Sequence, residues 1–542
     1  MKIRKPDAVG VYAGKESRNF AFADELAYGD IKINISAKGE NLGVDLTADG
    51  SPVRYIRLRW NFTDSEKRKE NTKILGDEWE RGYGLMEWRG ISAERCMPWV
   101  CMVSNGSDRC TDYTGRRTEC FGVKVRPNAM CFWQYEPTGI ILWLDVRCGG
   151  SGVVLKGRTV ELCEIVFAEY LNVSAFSAIK EYYHLLCEDA LPVPHKVYGT
   201  NTWYYTYGKI SSEGVLADTD LLTERCKELE NIPYMVVDDG WEQNHMDAPW
   251  DKVNERFSDM KKLADEIRKR GARPGIWFRP LSDEKRATEC TKDEHRSMRD
   301  MQYLDPSHPD VLEYIRKTVK MLVDDWGYEF VKHDFSTWDA FGFWGFERPA
   351  QLAEDGWHFW DQSRTSAEIM LEFYRAVYES AGEKALILGC NVIGHLAAGL
   401  VHLNRTGDDT SGMDWERTRN YGVNTLAFRM MHHEAFFQAD ADCAPITEKI
   451  DWKLGKEWLN AVAASGTPLF VSPAPNCMTD DQISELKKAY ARNSIQRDLL
   501  EPLDWMENVC PEYWRLNGEE IHFNWYPEDG VKSFDALAAS AE

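Results

Sequence analysis

Three short stretches put carboxylates where chemistry needs them. VKHDF (331–335) ends an apolar run in Asp334, with Lys332 two residues before it. RTGDDT (405–410) sets Asp408 and Asp409 behind a glycine, and VVDDGW (236–241) ends a second apolar run in Asp238 and Asp239. Strand alternation places Lys332 and Asp334 on one face. A nearby cation keeps a carboxylate ionised, which suits a nucleophile. Asp408 and Asp409 are like-charge neighbours, and such a pair raises a carboxyl pKa toward what a general acid needs. One ionised and one protonated carboxyl are the working parts of a glycosidase, which retains configuration when the two stand about 5–5.5 Å apart. The competing structural readings are a buried ion pair closing a barrel layer for Lys332 and Asp334, and a loop turn or helix N-cap for the second pair.

Asp238 and Asp239 suit a sugar's neighbouring hydroxyls, with Trp241 as a wall. They also suit a divalent cation, to which His432, His433, Asp440 and Asp442 are possible additions. However, no HxH follows the first strand, and HHE at 432–434 lacks the HExxH spacing. No metal and no cofactor are expected.

Such residues need a frame that brings strand ends together. From about 197, apolar runs ending in polar or glycine-rich turns alternate with amphipathic helices. The runs are VYGTNTWYY, PYMVVDDGW, ARPGIWFRP, YEFVKHDF, ALILGC, VHLNRTGDD, HHEAFFQAD and PLFVSPAP. Eight strands alternating with helices over about 280 residues is the cadence of a (β/α)8 barrel, whose active sites lie past the strand C-termini. Asp238, Asp239, Trp277, Lys332, Asp334, Cys390, Arg405 and Asp409 all fall there. Before the barrel, stretches such as IKINISAKGENLGVDLTADG alternate and break at Gly or Asp-Gly, predicting a β-sandwich to about residue 170. A linking helix follows, with Ser174 as N-cap, and then the proline-broken hinge LPVPHK at 191–196. The reading is therefore an N-terminal β-sandwich with linking helix (1–190), a catalytic TIM barrel (191–490) and a short C-terminal β region (491–542).

The formal charge of −23 argues against nucleic acid and against an anionic membrane as partners. Nothing approaches eighteen consecutive apolar residues, so no membrane span is expected. The first twenty residues lack the apolar stretch of a secretory signal, and the 14 cysteines form no CxxC pair, so reduced thiols and a cytoplasmic address are expected.

VVDDGW, GIWF, VKHDF and LGCNVIGHLAAGLVHLNRTGDDTS, in that order along the barrel, resemble glycoside hydrolase family 36, the bacterial α-galactosidase group, and more distantly family 27 of the same clan. The resemblance implies a retaining α-glycosidase hydrolysing terminal α-galactosyl residues through a covalent glycosyl-aspartate. It implies Asp334 as nucleophile and Asp409, four residues after Arg405, as acid/base. Asp238 and Asp239 would grip the axial 4-hydroxyl and the 6-hydroxyl, Lys332 and Arg405 other ring hydroxyls. Trp203 and Trp277 match the family's aromatic walls, and Cys390 lines the 2-hydroxyl side. The chain departs from the family at Arg279, where a Glu-Pro-Glu is common, and at His333, where Trp or Tyr is common. Asn391 and His395 stand near the 2-substituent, which leaves N-acetylgalactosamine as a second candidate sugar. Two rival functions fit the same scaffold: transfer of galactose to a sugar acceptor, and carbohydrate binding without catalysis. The expected partner is a small oligosaccharide or glycoside, and homo-oligomers are common in the family.

Overall fold

The structure, a computed structural model, describes residues 4–63, 72–84, 86–283 and 303–531. Residues 8–171 form two antiparallel sheets of six and seven strands. Their alternation is visible in Ile31–Lys38, where Ile31, Ile33 and Ile35 are buried and Lys32 is exposed. Trp60 of one sheet meets Phe167 of the other at 5.4 Å, part of the aromatic filling between the layers. The helix Ala175–Leu186 follows, and Ser174 caps it by accepting a hydrogen bond from the Ser177 N–H.

Nine parallel strands form the barrel: β1 (Tyr198–Asn201), β2 (Tyr234–Val237), β3 (Arg273–Phe278), β4 (Phe330–His333), β5 (Leu386–Gly389), β6 (Leu403–Arg405), β7 (Gln438–Asp440), β8 (Cys443–Ile446) and β9 (Leu469–Pro473). Their order is β7-β6-β5-β4-β3-β2-β1-β9-β8. Most are buried at every position, as strands covered on both faces must be. The helices outside carry one apolar stripe. Met260, Leu263, Ala264 and Ile267 are the buried face of Met260–Lys269, whose N-cap Asp259 accepts from the Lys262 N–H.

The seventh expected strand, HHEAFFQAD, differs. Only Gln438–Asp440 is extended, and Met430–His432 is a single 3-10 turn. The chain bends at Asp442 (φ 67°) and resumes as β8. β7 pairs with β6 and β8 pairs with β9, so one bent stave closes the barrel. A bend there is held by partners of the Asp442 side chain described below.

The C-terminal strands Glu501–Pro502, Tyr513–Leu516 and Glu519–His522 make a small antiparallel sheet. Near it, the Trp505 indole donates to Asp108 of the sandwich, and the barrel's Trp415 donates to the Trp525 carbonyl. Residues 532–542, expected to belong to this region, lie outside the described residues. Every cysteine among the described residues is a free thiol. Among them, too, no helix is long and apolar enough to cross a membrane.

Candidate active site

The strand ends converge as the alternation requires. Asp334 follows β4, and its N–H donates to the Phe278 carbonyl of β3 (3.1 Å). Its Oδ2 accepts from the Trp277 indole at 3.2 Å and its Oδ1 from the Phe335 N–H at 2.7 Å. Two donors hold this otherwise buried carboxyl in one orientation. Trp277 is 1% exposed and acts here as a donor to Asp334 rather than as an open wall. Phe335 is left-handed (φ 60°), and its ring lies 4.3 Å from the Arg279 guanidinium, which pairs with buried Asp339 at 2.6 Å. Arg279 thus braces the turn that presents Asp334. His333 alternates away, packing against Phe373 and Tyr374. Burial lowers its pKa to about 4.

Lys332 differs from the expectation. Its ammonium bonds Asp238 Oδ2 at 2.7 Å, and its influence on Asp334 is a weaker interaction through space. The reason is reach: Asp238, on β2, fixes the ammonium together with Asn201 of β1, whose amide also donates to Oδ2 (2.6 Å). Burial opposes the ammonium's charge, and Asp238 overcomes it, so Lys332 stays protonated.

Asp239 is the opposite case. It is buried, and neither carboxyl oxygen accepts a hydrogen bond from the described residues. Burial, then the adjacent Glu242 carboxyl, push its pKa up to about 10. Asp239, Glu242 and His245 bring ligand atoms within 4.8 Å of one another, the sole such metal-capable group among the described residues. Glu242, however, already accepts from the Gly240 and Met246 N–H groups. Gly240 makes this turn possible: φ is 109°, and a Cβ would sit 2.4 Å from the Gly208 carbonyl oxygen. His432 and His433 are buried apart from this group.

Asp409 follows β6. Its Oδ1 lies 3.2 Å from Arg405 Nη2 and 3.4 Å from Arg81 Nη1. Burial pushes this carboxyl up, but Arg405, Arg81, Lys332 and Arg417 outweigh it and hold it well below the usual carboxylate range. The expectation of a carboxyl raised by its neighbour is therefore overturned. Arg81 stands between the two acids, 2.8 Å from Asp408 Oδ1. The Asp409 side chain is 35% exposed, which weakens these interactions by solvent screening. Arg405 is pinned by Asp442 at 2.8 Å. Asp442 also accepts from the Thr410 N–H (2.9 Å) and the Tyr204 hydroxyl, which holds the β7–β8 bend and the Asp409 loop together.

Trp241 is 0% exposed, donates to the Trp277 carbonyl and packs on Trp250 and Trp326; it is core beneath the site, not a wall. The position after Asp-Asp-Gly returns into the barrel–helix layer instead of facing the mouth. Asn391 is fully buried, its amide committed to Glu80 at 2.9 Å. Cys390 is buried beside Arg405 (3.4 Å) and Arg81 (3.7 Å). Trp203 is half-buried at the mouth, against Tyr207. His395 stacks on Trp99 and bonds the Val123 carbonyl, at the contact with the sandwich.

Glu80 and Arg81 carry no signal in the sequence that points here. They belong to DEWERGYG (77–84), which leaves the sandwich and docks on the barrel. The Gly82 N–H donates to the Thr406 carbonyl (2.9 Å), and the Asp408 N–H donates to the Gly82 carbonyl (2.7 Å). Asn201 was reachable, since it ends β1 as the other site residues end their strands.

Solved structures share this fold. The chain is similar to an α-galactosidase of Thermus thermophilus in complex with p-nitrophenyl α-D-galactopyranoside. That match has a TM-score of 0.59 at 17% identity and covers 92% of this chain and 98% of the other. The fold is that of the family 36 α-galactosidases. A GH36 α-galactosidase variant of Geobacillus stearothermophilus in complex with raffinose matches at TM-score 0.60 and 13% identity, over 89% of this chain and 70% of that one. The α-galactosidase of Lactobacillus brevis matches at 0.57 and 14%, over 90% and 70%. No protein-family model and no curated protein matches the sequence. At these identities the α-galactosidase likeness is one of architecture.

Proposed function

We propose that the chain is a member of glycoside hydrolase family 36 and a retaining α-galactosidase. Asp334 is its nucleophile and Asp409 its acid/base. The observation that carries this reading is a pair of strand-end carboxylates at one barrel mouth: Asp334 is clamped by the Trp277 indole and the Phe335 N–H, and Asp409 is partly open to solvent between two arginines. Asp334 attacks the anomeric carbon as the bond to the leaving oxygen breaks, and Asp409 gives that oxygen its proton. Asp409 then takes a proton from the water that cleaves the glycosyl-aspartate, since microscopic reversibility assigns it both roles.

Asp239 supports a polyhydroxylated substrate. Its buried carboxyl, with Glu242 adjacent and His245 Nδ1 3.4 Å from Oδ2, accepts no well-formed hydrogen bond from the described residues and suits a sugar's hydroxyls. The Asp238–Lys332 pair sits beside it as a fixed acceptor and donor. Galactose is favoured over its N-acetyl derivative because Asn391 is committed to Glu80 and His395 to the sandwich, so neither presents a free group to an acetamido substituent. The pocket's own residues suffice for this chemistry without a metal or a cofactor.

The test is hydrolysis of p-nitrophenyl α-galactoside beside the α-N-acetylgalactosaminide, the α-glucoside and the β-galactoside, with an Asp334→Ala control. Turnover of the α-galactoside, lost in the variant, is expected. Preference for the N-acetyl substrate would move the specificity, and failure of all four with folded protein would remove the assignment.

A further inference from the structure

The loop 77–84 delivers one charged side chain to the candidate acid/base, and the geometry around it is unequal. Arg405 cannot leave Asp409, since Asp442 at 2.8 Å and the Gly407 carbonyl at 3.3 Å hold its guanidinium. Arg81 is held differently. One arm of its fork is 2.8 Å from Asp408 and the other only 3.4 Å from Asp409. Its buried Nε, like that of Arg405, finds no acceptor among the described residues, so the difference lies in the guanidinium's ends. Its flat faces rest against the rings of Trp344 (5.3 Å) and Tyr83 (5.7 Å), which restrain it without fixing it along the Asp408–Asp409 direction. The backbone that carries it is fixed, by the Gly82 bridge to residues 406–408 and by Glu80, which accepts from Asn391 and from the Gly345 N–H.

A carboxyl that works first as acid and then as base needs a higher pKa in the first half of the reaction than in the second, and a cation moving away from it raises that pKa. From β6 and its loop, Asp409 meets Arg405 and Arg417; from β4, Lys332; from the sandwich loop, Arg81. The Tyr204 and Tyr207 hydroxyls complete the groups that act on it. Arg81 forks between Asp408 and Asp409, with the shorter contact to Asp408. Arg417, half-exposed, pairs with Asp408 at 3.4 Å and acts on Asp409 through space.

We propose that Arg81 is a positioning residue for the acid/base: shared between Asp408 and Asp409 while Asp409 is ionised, it withdraws onto Asp408 alone when Asp409 takes up the proton. Asp408 is then an anchor for Arg81 and not a participant in the chemistry. The N-terminal sandwich contributes to turnover through this one side chain. The inference rests on the proposed α-galactosidase reading.

The test compares kcat/KM against pH for wild type, Arg81→Gln and Asp408→Asn, all as the full chain. Phenyl α-galactoside is the substrate that needs an acid; 2,4-dinitrophenyl α-galactoside leaves without one. Removing Arg81 removes a cation from Asp409, so the alkaline limb with the phenyl substrate moves up, by about 1 pH unit. Removing the Asp408 charge leaves Arg81 wholly to Asp409, so the limb moves down. Neither variant shifts the limb with the dinitrophenyl substrate. Shifts in the same direction, no shift, or shifts that persist with the dinitrophenyl substrate would overturn the proposal. If Arg81→Gln does not fold, as judged by circular dichroism, the downward shift of Asp408→Asn with the phenyl substrate alone decides it. Wild type inactive on every α-galactoside would remove the reading beneath the proposal; an active wild type with unmoved variants would remove only the proposal.

Discussion

Replacing Lys332 with Met isolates the buried pair at the floor of the site. The ammonium and Asp238 Oδ2 are 2.7 Å apart and both side chains are nearly inaccessible, 7% and 4% exposed. Coulomb's law at an effective dielectric of about 20 gives an attraction of about 6 kcal/mol at that separation. Desolvation cancels much of this in the intact pair, but removing one partner leaves a buried charge uncompensated, at a cost of about 3–5 kcal/mol. Asp238 would keep the Asn201 amide and the Asp239 N–H, which places the loss near the lower end, about 3 kcal/mol. For a cooperative unit of about 300 residues that is a fall of about 5 °C in Tm. The double variant Lys332→Met with Asp238→Asn removes both charges and is expected to recover at least half of the loss. Differential scanning calorimetry and urea unfolding of all four proteins at one scan rate supply the double-mutant cycle. A single variant within 0.5 kcal/mol of wild type (about the scatter of surface substitutions), or a double variant worse than the sum of the singles, would refute the picture of a mutually dependent buried pair.

Asp239 carries a pKa pushed up to about 10, so between pH 4 and 10 the folded protein holds a proton that the unfolded chain has released. Stability therefore falls as pH rises through that window, and Asp239→Asn is expected to flatten the slope in pH-dependent urea titrations, whereas Asp239→Ala, which removes the carboxyl from the sugar's hydroxyls, is expected to lower kcat/KM at least about 100-fold. Trp241→Phe is expected to destabilise by about 1–3 kcal/mol through its lost volume and indole hydrogen bond, with KM unchanged, because the ring lies beneath the site; a raised KM without loss of stability would restore it as a wall. Asn391→Ala leaves Glu80 without its amide donor and is expected to loosen the 77–84 loop, read as faster amide hydrogen exchange at Gly82 and Asp408, whose N–H groups form the loop's bridge to the barrel.

The barrel was legible because each stave is a short apolar run closed by a turn, and a buried parallel strand has to look like that. The stave at 432–446 was not, because its bend is set by Asp442, whose partners Arg405, Thr410 and Tyr204 come from other elements. Asp334, Asp238 and Asp409 were legible for the same reason as the strands: they stand at strand ends, where alternation and the mouth of the barrel coincide. Lys332 was placed on the correct face, but its partner depended on Asn201 and Asp238 across two strands, a distance that local pattern does not encode. Arg81 lay beyond reach altogether. It meets Asp409 across 328 positions of chain, from a loop with neither periodicity nor a motif. Trp241 shows the opposite error, in which a motif suggested a surface role and packing decided otherwise.

The most direct measurement on the central claim is to trap the glycosyl-enzyme. Asp409→Ala protein, mixed with 2,4-dinitrophenyl α-galactoside, is expected to form the intermediate without an acid and to release it slowly for want of a base. After acid quench and peptic digestion, mass spectrometry is expected to find one hexosyl group on the peptide containing Asp334. A hexosyl group on any other residue, or full turnover with no labelled peptide, would contradict the account.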